Sequence, residues 1–368
     1  MIRAGLIFIL IIDAFAMQGQ SKVTKDSMSR NSYVNISAGY NHGYLYPHHP
    51  SINYFTKENI NGISLIASRS FPEINRKRPP EIGMGYYFSN LGNQDVFGNV
   101  HGLYFDIGGD FFRTLSPVYI RQSTAFGMSY NTKVFDIHNN YFNRSVGSHI
   151  NSFFIISLFL QAELGDNIKL FAGPSVVHMS NGNIKMPNYG LNLFTTKVGI
   201  TYKLQTHKDL WPNEIIVKDE FAKNRFLIIG SGGVRQVSRS IRERFLAASL
   251  LTDYSRRVHT NQAFGAGLDL IYDPVEGRET NVTGDVIENF VPWHVGAHLS
   301  WQRIWNRFSI CLQPGYKIIT YSDQKSYQYN RLAIRYQLNN NILLNWSLKS
   351  HKIRADFIEF GVGYMFER

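Results

Sequence analysis

The sequence holds a single cysteine, Cys311. One thiol excludes any internal disulfide framework, and a lone cysteine in an alternating segment reads as a small apolar filler. Long apolar runs are also lacking. The N-terminal run, Leu6 to Ile12, falls far short of the about 20 residues that carry a helix across a bilayer, and no later stretch approaches that length. If the mature chain lies in a membrane, it must do so as a closed barrel, because lipid leaves no other way to satisfy the backbone. Charge is scarce: Asp, Glu, Lys and Arg make up 18% of the chain, where roughly 25% is usual for soluble domains. The formal charge is nevertheless +11. No run of Lys and Arg with interleaved aromatics accompanies it, so nucleic acid is not an expected partner. An anionic membrane surface is the other candidate, and net charge alone does not choose between them.

Aromatics are abundant instead, with 26 Phe, 21 Tyr and 5 Trp beside 30 Gly. Hydrophobic residues reach 44% while the mean hydropathy is only −0.20, so the apolar side chains are dispersed. Transmembrane strands that alternate apolar-out and polar-in have this profile. At the N-terminus, Arg3, the apolar core Leu6 to Ile12 and the A-x-A-like Ala14-Phe15-Ala16 read as a secretory signal peptide over residues 1–16. A polar linker, residues 17–31, follows. Residues 32–368 are expected to form one barrel.

Period two is clearest in three stretches. Leu332, Ile334, Tyr336 and Leu338 oppose Arg331, Ala333, Arg335 and Gln337. Ile342, Leu344, Trp346 and Leu348 oppose Leu343, Asn345, Ser347 and Lys349. Phe194, Val198, Ile200, Tyr202 and Leu204 oppose Thr195, Lys197, Thr201 and Lys203. The last segment places Ile358, Phe360, Val362, Tyr364 and Phe366 on one face and resembles the C-terminal assembly signal of outer-membrane barrels, with Glu367 and Arg368 after the aromatic. The fold class predicted is all-β: a transmembrane antiparallel β-barrel of about 16 strands, within a range of 12 to 16. The strands start near 33, 61, 81, 99, 117, 152, 168, 192, 225, 243, 262, 293, 307, 330, 341 and 356. Long outer loops are expected at 42–60, 131–150, 273–292 and 320–328. Short turns are expected at Gly165-Asp166-Asn167, Trp305-Asn306 and Asn339-Asn340. Segment 205–224 is too long for a simple turn and is the one serious candidate for a plug or a domain boundary.

The segment richest in chemistry is His178-Met179-Ser180-Asn181-Gly182-Asn183-Ile184-Lys185-Met186-Pro187-Asn188-Tyr189-Gly190-Leu191-Asn192. Residues i and i+2 of a strand point to the same side, which sets the His178 imidazole beside the Ser180 hydroxyl, the minimum pair for an activated serine. Their parity continues the apolar set Ile168, Leu170, Ala172, Pro174 and Val176, and Asn192 shares the parity of Phe194. Three polar residues thus fall in register with the lipid-facing surface, where polarity is costly unless it has a purpose or lies at the interface. The strand count puts them at the outer-leaflet end.

This segment resembles the PagL-type lipid A deacylases, outer-membrane esterases with the pattern H-x-S-N followed by P-N-x-G. The matching positions are His178, Ser180, Asn181, Pro187, Asn188 and Gly190. The resemblance implies that Ser180 is the nucleophile and His178 the general base. Asn188 and nearby backbone amides would hold the oxyanion, with Asn181 in support. The family's Glu, which orients the histidine, falls on Asn192. Asn can accept a hydrogen bond from the imidazole but cannot stabilise the imidazolium with a charge. The likeness is strong over 178–192 and weaker over about 100–205. The longer C-terminal part, with Gly267-Leu268-Asp269 and His351 to Phe366, looks like the enlarged acyloxyacyl-hydrolase-like relatives. By that resemblance the chain is an outer-membrane esterase that removes an ester-linked acyl chain from lipid A of lipopolysaccharide, as a monomer, without cofactor or metal. The alternative is a non-catalytic outer-membrane porin or transporter, or a structural barrel.

Other features have plainer readings. His351 and Asp356 read as a solvated outer turn, with a second polar site as the alternative. His48 and His49 sit in a Pro-flanked loop where neighbours point apart, against metal binding. Gly230-Ser231-Gly232-Gly233 lacks the Lys-Ser/Thr of a phosphate loop and marks a bend or a close backbone contact. Lys197, Lys203, Arg331, Arg335 and Lys349 face the lumen, where pairing with Glu163, Asp269 and Glu359 is favoured over an anion-selective pore.

Overall fold

The strands follow from alternation. In Leu191–Gln205, the side chains of Val198, Ile200, Tyr202 and Leu204 are exposed while Thr195, Lys197 and Thr201 are buried. An apolar exterior and a polar interior of this kind suit a barrel wall in lipid. The computed structural model describes residues 33–56, 58–70, 81–110, 117–205, 223–238, 242–259, 262–276, 278–280, 286–288, 291–305, 307–320, 327–351 and 354–367. The proposed signal peptide, the 17–31 linker, Asn306 and most of 205–224 lie outside them. Among the described residues no helix is long and apolar enough to cross a membrane.

The elements, in chain order, are β1 (Tyr33–Leu45), α1 (Pro50–Phe55), β2 (Ile60–Ser70), β3 (Glu81–Asn90), β4 (Asn99–Asp110), β5 (Val118–Asn131), β6 (Ile150–Leu164), β7 (Ile168–Ser180) and β8 (Leu191–Gln205). They continue with β9 (Asn224–Gln236), β10 (Arg244–His259), β11 (Gln262–Tyr272), the short hairpin β12 (Arg278–Thr280) and β13 (Val286–Glu288), β14 (Trp293–Trp305), β15 (Phe308–Ile319), β16 (Gln328–Gln337), β17 (Ile342–His351) and β18 (Arg354–Glu367). Every barrel strand begins within two residues of its expected start. The hairpin and α1 were not foreseen; both are short inserts in loops.

The all-β class and the total of 16 barrel strands hold, but the expected single barrel does not. The sheet closes twice. Strands β1 to β8 form one closed barrel, and β9 to β11 with β14 to β18 form another. β1 runs antiparallel to β8, from Tyr33↔Gln205 to Leu45↔Leu193. β18 runs antiparallel to β9, from Phe360↔Gly232 to Glu367↔Arg225. The chain correspondingly splits into two compact units. Alternation tells which face of a strand meets lipid but not after how many strands the edges meet. The unusual length of 205–224 was the sequence's sign of this boundary.

Eight strands enclose a lumen just wide enough for side chains to fill. In the first barrel, the end carrying the long loops is filled by an apolar cluster that includes Leu45, Tyr87, Phe97, Tyr104, Phe153 and Met179. Toward the other end the interior is polar. Arg121 Nη2 lies 3.0 Å from Glu81 and Lys169 Nζ 3.5 Å from the same carboxylate. Lys203 Nζ lies 3.6 Å from the Tyr33 ring centroid. In the second barrel the lumen is crossed by ion pairs. Arg331 meets Asp269 at 2.6 Å and Glu359 at 3.1 Å, and Arg335 Nε donates to Asn345 Oδ1 at 3.3 Å. Pairing is therefore the state of Arg331, as expected, although Lys349 pairs with Asp356 (2.7 Å) rather than with an interior Glu. That Asp356 is buried and also contacts His351, so this is a closed polar cluster and not the solvated turn expected from sequence.

The turns have local causes. Gly165, at φ +69°, closes the turn between β6 and β7. Between β16 and β17, the Asn339 side-chain oxygen accepts from the N–H groups of Asn341 (2.9 Å) and Ile342 (2.8 Å), a turn the asparagine builds on its own backbone. The glycine cluster in β9 marks the closing seam. A Cβ on Gly233 would stand 2.0 Å from the Ile358 carbonyl oxygen of β18, which confirms the close backbone contact.

Candidate active site

β7 and β8 pair so that His178 stands opposite Asn192. Both side chains have the outward parity of their strands, as does Ser180 at the end of β7. The His178 Nδ1 lies 2.7 Å from Asn192 Oδ1, and its Nε2 lies 3.1 Å from Ser180 Oγ. A carbonyl oxygen can only accept, so the Nδ1 carries the proton and donates it to Asn192. The Nε2 then presents a lone pair to the Ser180 hydroxyl. This is the tautomer a general base requires. Ser180 is itself buried.

The loop between β7 and β8 is fixed by polar contacts on both sides. Asn181 N–H donates to Asn188 Oδ1 at 3.0 Å, and Asn181 Nδ2 donates to Ser148 Oγ at 2.8 Å. Tyr189 and Gly190 donate backbone N–H groups to the carbonyls of Arg144 (3.3 Å) and Ser145 (2.8 Å). Ser145 is held in turn by Asn143, whose Oδ1 accepts from the Ser145 N–H at 3.3 Å and whose Nδ2 donates to the Val96 and Lys133 carbonyls at 3.0 and 3.1 Å. All five residues singled out from sequence, His178, Ser180, Asn181, Asn188 and Asn192, thus lie in one strand-loop-strand unit of the first barrel.

Gly190 has two reasons to be glycine. Its φ is +76°, a conformation side-chain-bearing residues rarely adopt. A Cβ there would also lie 3.1 Å from His178 Cε1 and 3.2 Å from the Met179 carbonyl oxygen. Gly190→Ala is expected to cost about 1 kcal/mol or more of stability from the backbone alone. It should also displace the imidazole and reduce turnover on the order of 100-fold, because small misplacements of a catalytic group are amplified in rate. Urea titration and initial rates on a soluble ester measure the two separately; an unchanged rate would show that His178 is not tied to this geometry.

Sequence reasoning missed His48. In the structure its Nε2 lies 2.9 Å from the Tyr189 carbonyl oxygen, and its Nδ1 lies 3.1 Å from Asn192 Nδ2. It reaches Asn192 because β1 closes against β8: Tyr46 N–H donates to the Asn192 carbonyl at 2.8 Å, extending that ladder past the strand end. A usable signal existed, since His48 continues the even-numbered, outward set Ile36, Tyr40 and Tyr44 of β1. Its neighbour His49 stacks on Tyr189 with ring centroids 4.1 Å apart. Below the site, Phe194 stacks with Tyr44 and meets Tyr46 edge-on at 6.0 and 5.2 Å, an aromatic cluster of the kind that marks a membrane interface.

Residues 224–368 match the family profile described as acyloxyacyl hydrolase, C-terminal domain. The match supports a PagL-type relationship for the second barrel. The matched span runs from β9 through β18 and contains the segments Gly267-Leu268-Asp269 and His351 to Phe366. It does not contain His178, Ser180 or Asn192. No curated protein matches the chain by sequence. Among solved structures, the chain is similar to neisserial surface protein A, at 14% identity over 48% of this chain and 97% of that one, with a TM-score of 0.31. It is also similar to the β-domain of the Bordetella autotransporter BrkA, at 8% identity over 92% and 100%, with a TM-score of 0.25. A third is the TodX monoaromatic hydrocarbon channel, at 10% identity over 93% and 91%, with a TM-score of 0.19. At these scores none of the three bears on the argument. This match, together with two barrels whose exteriors are apolar, points to the bacterial outer membrane and suggests hydrolase activity in general terms.

Proposed function

We propose that the first barrel is a serine esterase that removes an ester-linked acyl chain from lipid A. The observation that carries this reading is the Ser180–His178–Asn192 relay, at 3.1 and 2.7 Å, on the outward face of the wall. A site with that parity is reached by a substrate moving within the membrane rather than through the lumen. Ser180 Oγ attacks the ester carbonyl carbon and its proton passes to His178 Nε2. The ester C–O bond breaks, and the sugar hydroxyl leaves with the proton from His178. Water, deprotonated by the same imidazole, then cleaves the acyl-serine and releases the fatty acid. The Asn188 amide, whose Oδ1 accepts from Asn181 N–H, offers its Nδ2 as a donor to the oxyanion, with Asn181 braced by Ser148. The PagL-type match of the second barrel supports hydrolase chemistry in general terms.

A fluorophosphonate tests the nucleophile directly. It should label the peptide carrying Ser180 in the folded wild type, and labelling should vanish in His178→Ala; labelling elsewhere, or none, would remove the serine mechanism. The passive-porin alternative makes the opposite physical demand. An apolar cluster fills one end of the first lumen, and buried ion pairs cross the second. Planar bilayers containing the protein should therefore show no stepwise conductance. Steady channels unaffected by Ser180→Ala would favour transport.

A further inference from the structure

We infer that His48 is a positioning residue that selects the productive orientation of Asn192. The inference rests on the esterase reading above. An asparagine amide has two nearly isosteric ends with opposite chemistry. With Oδ1 toward His178, the imidazole keeps its proton on Nδ1 and presents a lone pair to Ser180. With the amide turned over, Nδ2 would donate to His178 Nδ1, the proton would move to Nε2, and the imidazole would donate to Ser180 instead of accepting from it. A carboxylate has two equivalent acceptors and never meets this choice. A chain that uses asparagine here therefore needs a device to fix it.

His48 supplies the device through one backbone carbonyl. The Tyr189 oxygen, 2.9 Å from His48 Nε2, can only accept, so that nitrogen carries the proton. His48 Nδ1 is then an acceptor, and it takes the Asn192 Nδ2 donor at 3.1 Å. Nδ1 also lies 3.3 Å from the Tyr46 carbonyl, but two acceptors cannot bond, and placing the proton on Nδ1 would lose both better contacts. With Nδ2 committed to His48, Oδ1 faces His178 at 2.7 Å. The order of control runs from the Tyr189 carbonyl to the His48 tautomer, the Asn192 rotamer, the His178 tautomer and the Ser180 hydroxyl. Tyr189 is itself held by its N–H donation to Arg144. The site thus depends on the closure of β1 on β8 as well as on the β7–β8 hairpin.

The test is a double-mutant cycle on the full chain refolded in detergent micelles, read as kcat and KM for a p-nitrophenyl ester of a medium-length fatty acid. His48→Phe keeps an aromatic ring against Tyr46 but removes the acceptor. It should lower kcat on the order of 10- to 100-fold with KM little changed, and His48→Gln, whose Oε1 restores an acceptor, should recover part of the loss. In an Asn192→Asp background, where both side-chain ends accept, His48→Phe should cost no more than about twofold. A merely structural role would cost the same in both backgrounds, and that result would overturn the positioning role while Ser180→Ala still abolished turnover. If Ser180→Ala kept the wild-type rate, the esterase reading would fall and take this inference with it. Nitrogen NMR of His178 gives a reading without turnover. The proton should sit on Nδ1 in wild type and redistribute to Nε2 in His48→Phe; an unchanged tautomer would contradict the inference.

Discussion

Ser180→Ala is expected to reduce ester hydrolysis by at least about 10³-fold while the barrel remains folded. In the proposed relay the hydroxyl is the group that would become covalently bonded to the substrate, and it stands 3.1 Å from His178 Nε2. His178→Ala should be comparably damaging, since an unactivated serine is a weak nucleophile at neutral pH. The two losses should not add: the double variant should resemble either single variant, as residues that act as one unit do. Heat-modified electrophoretic mobility and hydrolysis rates measured on one preparation distinguish chemistry from misfolding. A Ser180→Ala barrel that runs as folded and turns over at the wild-type rate would remove the nucleophile from this account.

The second large effect concerns stability. Arg331→Leu leaves Asp269 and Glu359 buried without their common cation. Removing one partner of a buried ion pair typically costs about 3–5 kcal/mol, because the remaining charge is stranded out of water. Here two carboxylates lose a partner. Other donors soften the loss: Tyr329 O–H and His298 remain on Asp269, and Ser347 donates to Glu359 at 2.9 Å. Arg331→Lys should be intermediate, since a point ammonium cannot engage both carboxylates through the fork of a guanidinium. Denaturant midpoints of the barrel in micelles read the order wild type, Lys, Leu. Equal midpoints for all three would show that the lumen is hydrated and the pairs are worth little.

How much of this was legible in the sequence depended on the range of the interaction involved. Strand starts were readable because alternation is a property of successive side chains; Val198, Ile200, Tyr202 and Leu204 announce their lipid face without reference to any partner. The pair His178 and Ser180 was readable for the same reason, being two residues apart on one strand. Asn192 needed only the adjacent hairpin. Barrel closure was not readable, because nothing in the composition of β8 says that its free edge meets β1 and not a ninth strand. That one unknown hid His48, which lies 144 residues from Asn192 in sequence and reaches it only across the closing seam. It also hid the division into two barrels: the His178–Ser180 motif lies in β7 and β8, while the family match begins at residue 224. Asp356 was misjudged for a related reason. A His and an Asp flanking a short turn look solvated until Lys349 of the same hairpin is seen to pair with the carboxylate at 2.7 Å.

The most direct test of the central claim is mass spectrometry of lipid A incubated with the refolded protein, with Ser180→Ala in parallel. The account predicts that wild type alone removes one ester-linked acyl group and releases it as free fatty acid. Intact lipid A after prolonged incubation with a demonstrably folded wild-type barrel, or equal loss with Ser180→Ala, would contradict it.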